Sequence, residues 1–110
     1  MFKKTERLNR SEFSKCFKSG HKSNFKHLTI VTADHPSLKA VVVVGKKVAK
    51  SAVKRNKIRR RIYASLYNQL VNKNHKGVLI VIVKPTYTSL TRKVADEFLI
   101  GSIAQVLKDE

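Results

Sequence analysis

Residues 46–62 read KKVAKSAVKRNKIRRRI, a stretch with nine lysines or arginines and no acid. It continues into an apolar stripe in which every fourth residue is large: Ile58, Ile62, Leu66 and Leu70. This spacing predicts a helix that begins after Ser51, a residue type that caps helix N-termini, and that ends near Val71. The four apolar positions span an arc of about 120°, which is wide enough to dock on a sheet.

The cations of this helix lie where a free helix would disfavour them. Lys54, Lys57 and Arg61 share one flank of the apolar arc, whereas Arg55 and Arg59 fall on the apolar side itself. These two arginines stay hydrated only if the first turns project past the sheet edge or if the side chains snorkel. Like charges four residues apart repel by about 0.2–0.5 kcal/mol per pair, and the helix dipole disfavours cations in the first turn. We therefore expect a polyanionic partner, because a solvated basic face, the alternative, usually includes Glu and Asp.

Overall composition restricts the class of protein. The 110 residues suffice for one domain with one core, and the net charge of +17 points to nucleic acid or an anionic membrane. No apolar run approaches the length of a membrane span, and no apolar signal core follows MFKKTERLNR, so a cytoplasmic protein without membrane attachment is expected. Cys16 is the only cysteine, which excludes an internal disulfide and a cysteine-based zinc site.

The chain before the basic stretch predicts one helix and a β-prone segment. The helix covers about 10–18, with Asn9 and Glu12 in the spacing of a capping box and Gly20 after its end. The β-prone segment, 21–32, can be divided by a kink into two strands. A turn is predicted over 33–37.

Two apolar runs flank the basic helix. AVVVV within 38–45 predicts a central strand, and VLIVIV over 78–83 predicts a second buried strand, so the two are expected to be parallel neighbours. A final helix is predicted from Ser89 or Thr91, with an apolar face of Val94, Phe98, Leu99 or Ile103, Val106 and Leu107. The element order predicts a single α/β domain of the α+β type over 1–110, a two-layer sandwich with a central sheet of about four strands.

Phe13 and Phe17 are four residues apart and therefore share a face of the first helix. Two interpretations are open for them. Both are core residues, or both are partly exposed and stack on bases, because Lys15, Lys18, Lys22 and Lys26 lie near them in sequence. Aromatic side chains among cations are typical of proteins that bind single-stranded RNA.

The sequence contains no evident catalytic constellation. The seven carboxylates form no acid–base pair, and Asp96 and Glu97, which are adjacent, point apart on a helix. The four histidines lack metal-ligand spacing, and nucleophile motifs and glycine-rich phosphate loops are missing. We expect a chain that binds RNA or DNA, with no catalytic residue and no metal site of its own.

The residues AVKRNKIRR at 52–60, preceded by GKKV at 45–48, resemble the signature of the bacterial ribonuclease P protein component. In that family a small residue and two lysines precede a helix with Ala-Val-x-Arg-Asn-x-Ile and two basic residues, the RNR motif. The pattern of Arg7-Leu8 followed by Glu12-Phe13, Phe17 and Gly20 is also similar, as is the apolar strand that ends at Lys84-Pro85. The resemblance covers nearly the whole chain.

This resemblance implies a left-handed βαβ crossover through the basic helix and a function as the protein subunit of ribonuclease P. In that endoribonuclease the RNA subunit holds the catalytic groups and removes the 5′ leader of precursor tRNA. The cofactor is Mg²⁺, bound mainly by the RNA, and no organic cofactor is expected. The implied partners are the catalytic RNA, in a 1:1 complex, and precursor tRNA.

The resemblance also assigns site residues. The leader is expected in a cleft between the first helix and the sheet, against Phe13, Phe17, Phe25 and Lys15. The catalytic RNA is expected on the RNR helix and the segment before it, against Lys46, Lys47, Arg55, Asn56, Arg59 and Arg60. The other cations of the stretch are expected to join these RNA contacts: Lys50, Lys54, Lys57 and Arg61. An asparagine early in a helix can instead bond to neighbouring backbone, but a bond from Asn56 to RNA or within the motif is favoured.

The chain departs from the family pattern at three positions. Lys57 stands at the third place of the RNR triplet and lacks the bidentate fork of arginine. Tyr63 stands where many members have another arginine, for which Arg61 is expected to compensate, and Leu28 replaces a frequent aromatic residue. These departures bear on the details of leader stacking.

Other functions fit the charge and size of the chain. A ribosomal protein would co-purify with ribosomal RNA, and a DNA-binding helix module would prefer duplex DNA over structured RNA in competition. An independent nuclease, the rival enzyme class, would cut precursor tRNA with Mg²⁺ but without an RNA subunit. None of the three explains the phenylalanine pair together with the GKKV segment and the Arg-Asn-Lys helix.

Overall fold

The basic stretch 46–62 leads into the longest helix that the structure describes. The structure is a computed structural model and describes residues 10–33, 35, 38–72 and 77–108. The elements in chain order are α1 (Arg10–Ser19), β1 (His21–Asn24), β2 (Leu28–Ala33), β3 (Leu38–Val43), α2 (Ala52–Asn72), β4 (Gly77–Val83), a 3-10 helix (Pro85–Ser89) and α3 (Arg92–Lys108). The predicted kink within 21–32 is present as the break between β1 and β2. Asn9, Asp34, Pro36 and Ser37 lie outside the described part of the chain, so the capping box and most of the predicted turn over 33–37 are not described.

The sheet has four strands in the order β1-β2-β4-β3. β1 pairs antiparallel with β2, and β2 with β4, whereas β3 and β4 are parallel neighbours, with Val42 opposite Val81. The α+β class, the four-stranded sheet and the parallel pair flanking the basic helix are thereby confirmed. The hand of the crossover through α2 stays a prediction.

The prediction of a central position for the AVVVV strand is wrong. β3 is an edge strand, and β4 occupies the position between β2 and β3. Ala40, Val42 and Val44 are buried on one face, and Val41 and Val43 are half-buried on the other. An apolar run therefore indicates that both faces of a strand are covered, but it does not indicate that both edges of the strand are hydrogen-bonded to neighbouring strands.

The larger core lies between one face of the sheet and the helices α2 and α3. Alternate strand residues such as Ile30, Ala40 and Val81 point to this face, and the α2 stripe packs against them. The predicted stripe is confirmed, because Ile62, Leu66 and Leu70 are buried, Ile58 is half-buried and Tyr63 is buried beside them.

The opposite face of the sheet carries a smaller cluster around Val31, Val78 and Ile80. Helix α1 contributes Phe13 and Phe17 to this cluster. The sheet thus has α2 and α3 on one face and α1 on part of the other.

Of the two predicted starts of the final helix, Thr91 agrees with the structure, because its Oγ1 accepts from the Val94 N–H at 3.3 Å and so caps the helix. The buried stripe is shifted by one residue. The chain first forms the 3-10 helix Pro85–Ser89, so α3 starts at Arg92. Its buried side chains are Ala95, Leu99, Ser102, Ile103 and Val106, whereas Val94 is 46% exposed and Phe98 is half-buried. The prediction for Val94 is wrong because the stripe runs through the small Ala95, which carries little apolar signal. The side chain of Leu107 lies outside the described part.

Gly20 joins α1 to β1 in a crowded position, where its N–H donates to the carbonyl of Cys16 at 2.7 Å. A Cβ at this position would lie 2.5 Å from the Cys16 carbonyl oxygen and 2.7 Å from the carbonyl oxygen of Thr32. Both are backbone atoms, so the backbone must shift to admit a methyl group. At Gly101, in α3, a Cβ would meet nothing within 4 Å.

We predict that Gly20→Ala lowers the free energy of unfolding by about 1–3 kcal/mol, the usual cost of overpacking. Gly101→Ala is the control and should raise it by about 0.5–1 kcal/mol, because alanine loses less backbone entropy in a helix. Urea denaturation of the three proteins measures both changes. A Gly20→Ala variant as stable as the parent would show that α1 is not seated this closely on the sheet.

Candidate nucleic-acid interface

The first turns of α2 carry most of the predicted RNA-contacting side chains at the surface. Eight of them are exposed: Lys46, Lys47, Lys50, Lys54, Asn56, Lys57, Arg60 and Arg61. Arg55 and Arg59, the two cations on the apolar side, are half-buried. Since Ile62 is the first fully buried residue of the stripe, the turns before it extend beyond the tightly packed core.

The half-buried arginines are held by hydrogen bonds within the motif. Arg55 donates from Nη1 to the carbonyl oxygens of Ala49, at 3.0 Å, and Lys50, at 2.8 Å. Arg59 donates from Nη1 to Oδ1 of Asn56 at 2.8 Å. Of the alternatives for Asn56, the bond within the motif is therefore the one that the free chain forms. These bonds fix two guanidinium groups and leave their remaining N–H donors for a ligand.

The entry into α2 is also fixed locally. Ser51 acts as the predicted cap, because its Oγ accepts from the N–H of Lys54 at 3.4 Å. Before it, a tight turn joins the Val48 N–H to the Gly45 carbonyl at 3.1 Å. The basic segment 46–50 is thus held against the start of the helix.

Tyr63 has a structural role that the sequence did not indicate. Its buried hydroxyl accepts a hydrogen bond from the Val42 N–H at 3.1 Å. That bond ties α2 to the edge strand β3, directly before the GKKV segment.

The phenylalanine pair lies on the other face of the sheet. The rings of Phe13 and Phe17 are stacked, with centroids 5.8 Å apart and planes inclined by 20°. The Lys22 ammonium nitrogen lies 4.2 Å from the Phe17 ring centroid, within cation–π range. Both phenylalanines are half-buried, so they pack on the sheet and still present ring surface to solvent. The structure therefore shows the packing of the first interpretation and the partial exposure that the second requires, and base stacking stays a prediction.

Lys15 is exposed on the same helix as this pair, but Phe25 is not brought together with it. Phe25 packs against the larger core cluster, on the side of α2 and α3. The reason is strand alternation: Asn24 faces α1, and the next residue faces away.

Strand pairing reveals further residues on the α1 face that sequence reasoning missed. Thr29, Ile82 and Val43 lie in one row across three strands, beside Asn24 of β1. Thr29 Oγ1 donates to Asn24 Oδ1 at 2.9 Å, while Ile82 and Val43 are half-buried. Together they form a surface of polar and apolar side chains on the α1 face. Only the strand order could have identified this surface, and the sequence of a short strand does not specify that order.

Within the residues that the structure describes, no three His, Cys, Asp or Glu side chains are grouped to hold a metal ion. No helix in the described ranges is long and apolar enough to cross a membrane. The site is thus built from cations on one sheet face and from aromatic, apolar and small polar groups on the other.

The family model for ribonuclease P matches residues 2–106. The chain belongs to the ribonuclease P protein family. The match includes the RNR helix and the phenylalanine pair, and it favours the ribonuclease P interpretation over the ribosomal and DNA-binding alternatives. No curated protein matches the chain.

Solved structures of the RNase P protein of Staphylococcus aureus have a similar fold. One is a mutant with defective mRNA degradation activity, with a TM-score of 0.80 and 23% identity over 96% of this chain and 90% of that chain. A second has a TM-score of 0.73 and 26% identity, covering 94% and 93%. A third has a TM-score of 0.68 and 25% identity, covering 98% and 91%. Family and fold together support a protein subunit of a tRNA-processing ribonuclease.

The two bonds of Arg55 predict that it contributes to stability as well as to charge. Arg55→Ala should lower the free energy of unfolding by about 1–2 kcal/mol, since two backbone acceptors lose a charged donor. Arg60→Ala removes the same charge from an exposed position and should change stability by less than about 0.5 kcal/mol. Urea denaturation of the free protein compares them, and equal effects would mean that Arg55 acts only as a surface cation.

Proposed function

We propose that this chain is the subunit of ribonuclease P that binds the catalytic RNA through α2 and the 5′ leader of precursor tRNA through α1. In this role it assists the Mg²⁺-dependent endonucleolytic removal of the leader in the cytoplasm. The catalytic groups and most Mg²⁺ ligands would belong to the RNA, in a 1:1 complex with the protein. The observation that carries the proposal is the placement of the RNR cations and the phenylalanine pair on opposite faces of one sheet.

The charge of α2 supports binding to a folded RNA. The first turn contains no acidic residue, and among the described residues no carboxylate forms an ion pair within 4.0 Å of an α2 cation. Phosphates would neutralise this charge, and the release of condensed counterions would add a salt-dependent driving force. Arg55 and Arg59 would present oriented donors, and the lysines around them would act as point charges.

The α1 face supports binding to a single strand. Stacked, half-open rings accept any base, because every base has a flat π face. The Lys22 ammonium nitrogen lies 4.2 Å from the Phe17 ring centroid and would meet a phosphate of the same strand. Lys15 and Lys18 are exposed on α1 and would add to the attraction. The row of Thr29, Ile82 and Val43 extends the surface across the sheet, so a leader of several nucleotides would have continuous contact.

Reconstitution tests the proposed function directly. Added to a bacterial ribonuclease P RNA, the chain should permit cleavage of the precursor tRNA leader at an Mg²⁺ concentration at which the RNA alone is inactive. The lysines and arginines of the bound protein would reduce the repulsion between the catalytic RNA and the precursor tRNA, so that the two associate at that low Mg²⁺ concentration. The matched control is the chain with Mg²⁺ and no RNA, which should not cut; cutting there would instead establish an independent nuclease.

Phe17→Ala should weaken binding of the holoenzyme to precursor tRNA by roughly 5- to 150-fold, the equivalent of one base–aromatic stack. Binding of mature tRNA should not change, because mature tRNA has no leader. Phe25→Ala is the control for a half-buried aromatic residue on the opposite face, and it should leave the precursor-to-mature affinity ratio unaltered. Filter binding measures the affinities of both variants for precursor and mature tRNA, and thermal unfolding measures their melting temperatures. If Phe17→Ala melts early but keeps the wild-type ratio, the pair is only core.

A further inference from the structure

A cavity of about 590 Å³ lies between the start of α2 and the beginning of α3. It is lined on one side by the segment 48–51 and the Lys54, Lys57 and Arg61 flank of α2, and on the other by the 3-10 helix Pro85–Ser89 and the first turn of α3. Its size is that of a small-ligand site. The RNA contacts proposed above do not use its interior.

The rim of this cavity is strongly cationic. It includes Lys50, Lys54, Lys57, Arg61 and Arg92, with Asp96 as the one acid in the lining. No carboxylate of the described residues lies within 4.0 Å of these cations as an ion-pair partner. Five cations around one opening therefore call for an anionic group.

The floor of the cavity is apolar, which a bare phosphate would not require. It is formed by Val48, Ile58, Tyr87, Leu90 and Ala95, and Tyr87 is only 7% exposed. A flat, uncharged ring gains from such a floor by losing contact with water. The ligand class that combines a flat ring with a phosphate is the nucleotide.

Tyr87 and Asp96, which both line the cavity, supply polar groups for the edge of a base. Asp96 can accept hydrogen bonds from base amino groups. The pKa of the Tyr87 hydroxyl is raised by burial and by the neighbouring Asp96, with Arg61 opposing the rise. The hydroxyl therefore stays protonated at neutral pH and remains a donor.

We propose that this cavity binds one unstacked nucleotide of the catalytic RNA, with the base on the apolar floor and the phosphate at the basic rim. The inference rests on the proposed function, since it takes the RNA partner from there, but it adds a base-binding site to a helix otherwise assigned only phosphate contacts. The catalytic RNA is the favoured source because the cavity includes the basic flank of α2 and lies on the sheet face opposite α1. A leader bound on α1 is separated from it by the sheet.

A filling substitution tests the cavity without removing any charge. Thr88 is exposed at the cavity wall, and Thr88→Trp would place an indole in the space for the base. Ser89→Trp is the matched control, because Ser89 is the exposed neighbour and does not line the cavity. Each hydroxyl donates to a carbonyl three residues earlier, Thr88 at 2.9 Å and Ser89 at 2.7 Å, so both variants lose the same kind of bond.

The probe is a bacterial ribonuclease P RNA, mapped by 2′-hydroxyl acylation with and without protein. Wild-type protein should alter the reactivity of one or two unpaired nucleotides, Thr88→Trp should abolish that change, and Ser89→Trp should retain it. Thr88→Trp should also weaken RNA binding about tenfold, as expected for the loss of one buried base contact. The slope of log affinity against log salt should become shallower by at most about one, because only a single phosphate leaves the basic rim.

A second pair covers the case in which Thr88→Trp does not fold. Arg92→Gln removes a cation from the rim and Lys93→Gln removes the adjacent cation, which does not line the cavity. Only Arg92→Gln should alter the same nucleotides. Identical maps and affinities within the pairs, with wild-type binding intact, would overturn this proposal alone. Changes confined to the leader of precursor tRNA would also overturn it, and a wild-type chain that does not bind the RNA would overturn the proposed function with it.

Discussion

The repulsion among the cations of α2 is the constraint on which the rest of the structure depends. No acid lies in the first turn of this helix, and no described carboxylate pairs with its cations within 4.0 Å. Charge alone would therefore disfavour the helix, by a few interactions of about 0.2–0.5 kcal/mol each. What opposes this repulsion is the packing of the following turns, because burying one side chain the size of leucine contributes about 1.5–3 kcal/mol. Ile62, Leu66 and Leu70 supply that packing, and the hydroxyl of Tyr63 adds a bond to the neighbouring strand.

This arrangement divides α2 into an N-terminal half with cations at the surface and a C-terminal half that packs on the sheet. The first half contains the motif bonds from Arg55 and Arg59, which orient guanidinium groups at the cost of some of their donors. The second half covers the sheet. Because the sheet lies between α2 and α1, a polyanion on the helix and a single strand on Phe13 and Phe17 would not compete for the same surface. In the proposed function, one small domain would in this way contact two nucleic acids at once.

The parts of the fold that depend on local pattern were predictable, and the parts that depend on strand order were not. The α2 stripe could be predicted because every fourth residue is large and apolar. The edge position of β3 could not, since its residues are covered on both faces by other elements and an apolar run does not report hydrogen-bonded edges. Phe25 is a second example. As an aromatic residue it was expected on the leader surface, but side chains alternate along a strand, and Phe25 therefore points toward the larger core. Ala95 was overlooked because a small side chain hardly marks a stripe.

The cavity beside α2 is bordered by the 3-10 helix that the chain forms before α3 begins. Had the final helix begun at Ser89, the earlier of the two predicted starts, its first turn would include Leu90, which lines this space. Instead Lys84-Pro85 ends β4, the chain turns through Pro85–Ser89 with Tyr87 buried beneath it, and Arg92 begins α3 opposite the Lys57 flank. The elements that form the walls are some 30 residues apart in sequence, so no motif could indicate the site. Its basic rim thus combines cations of α2, already apparent as one flank in the sequence, with one cation that only the tertiary fold brings to them.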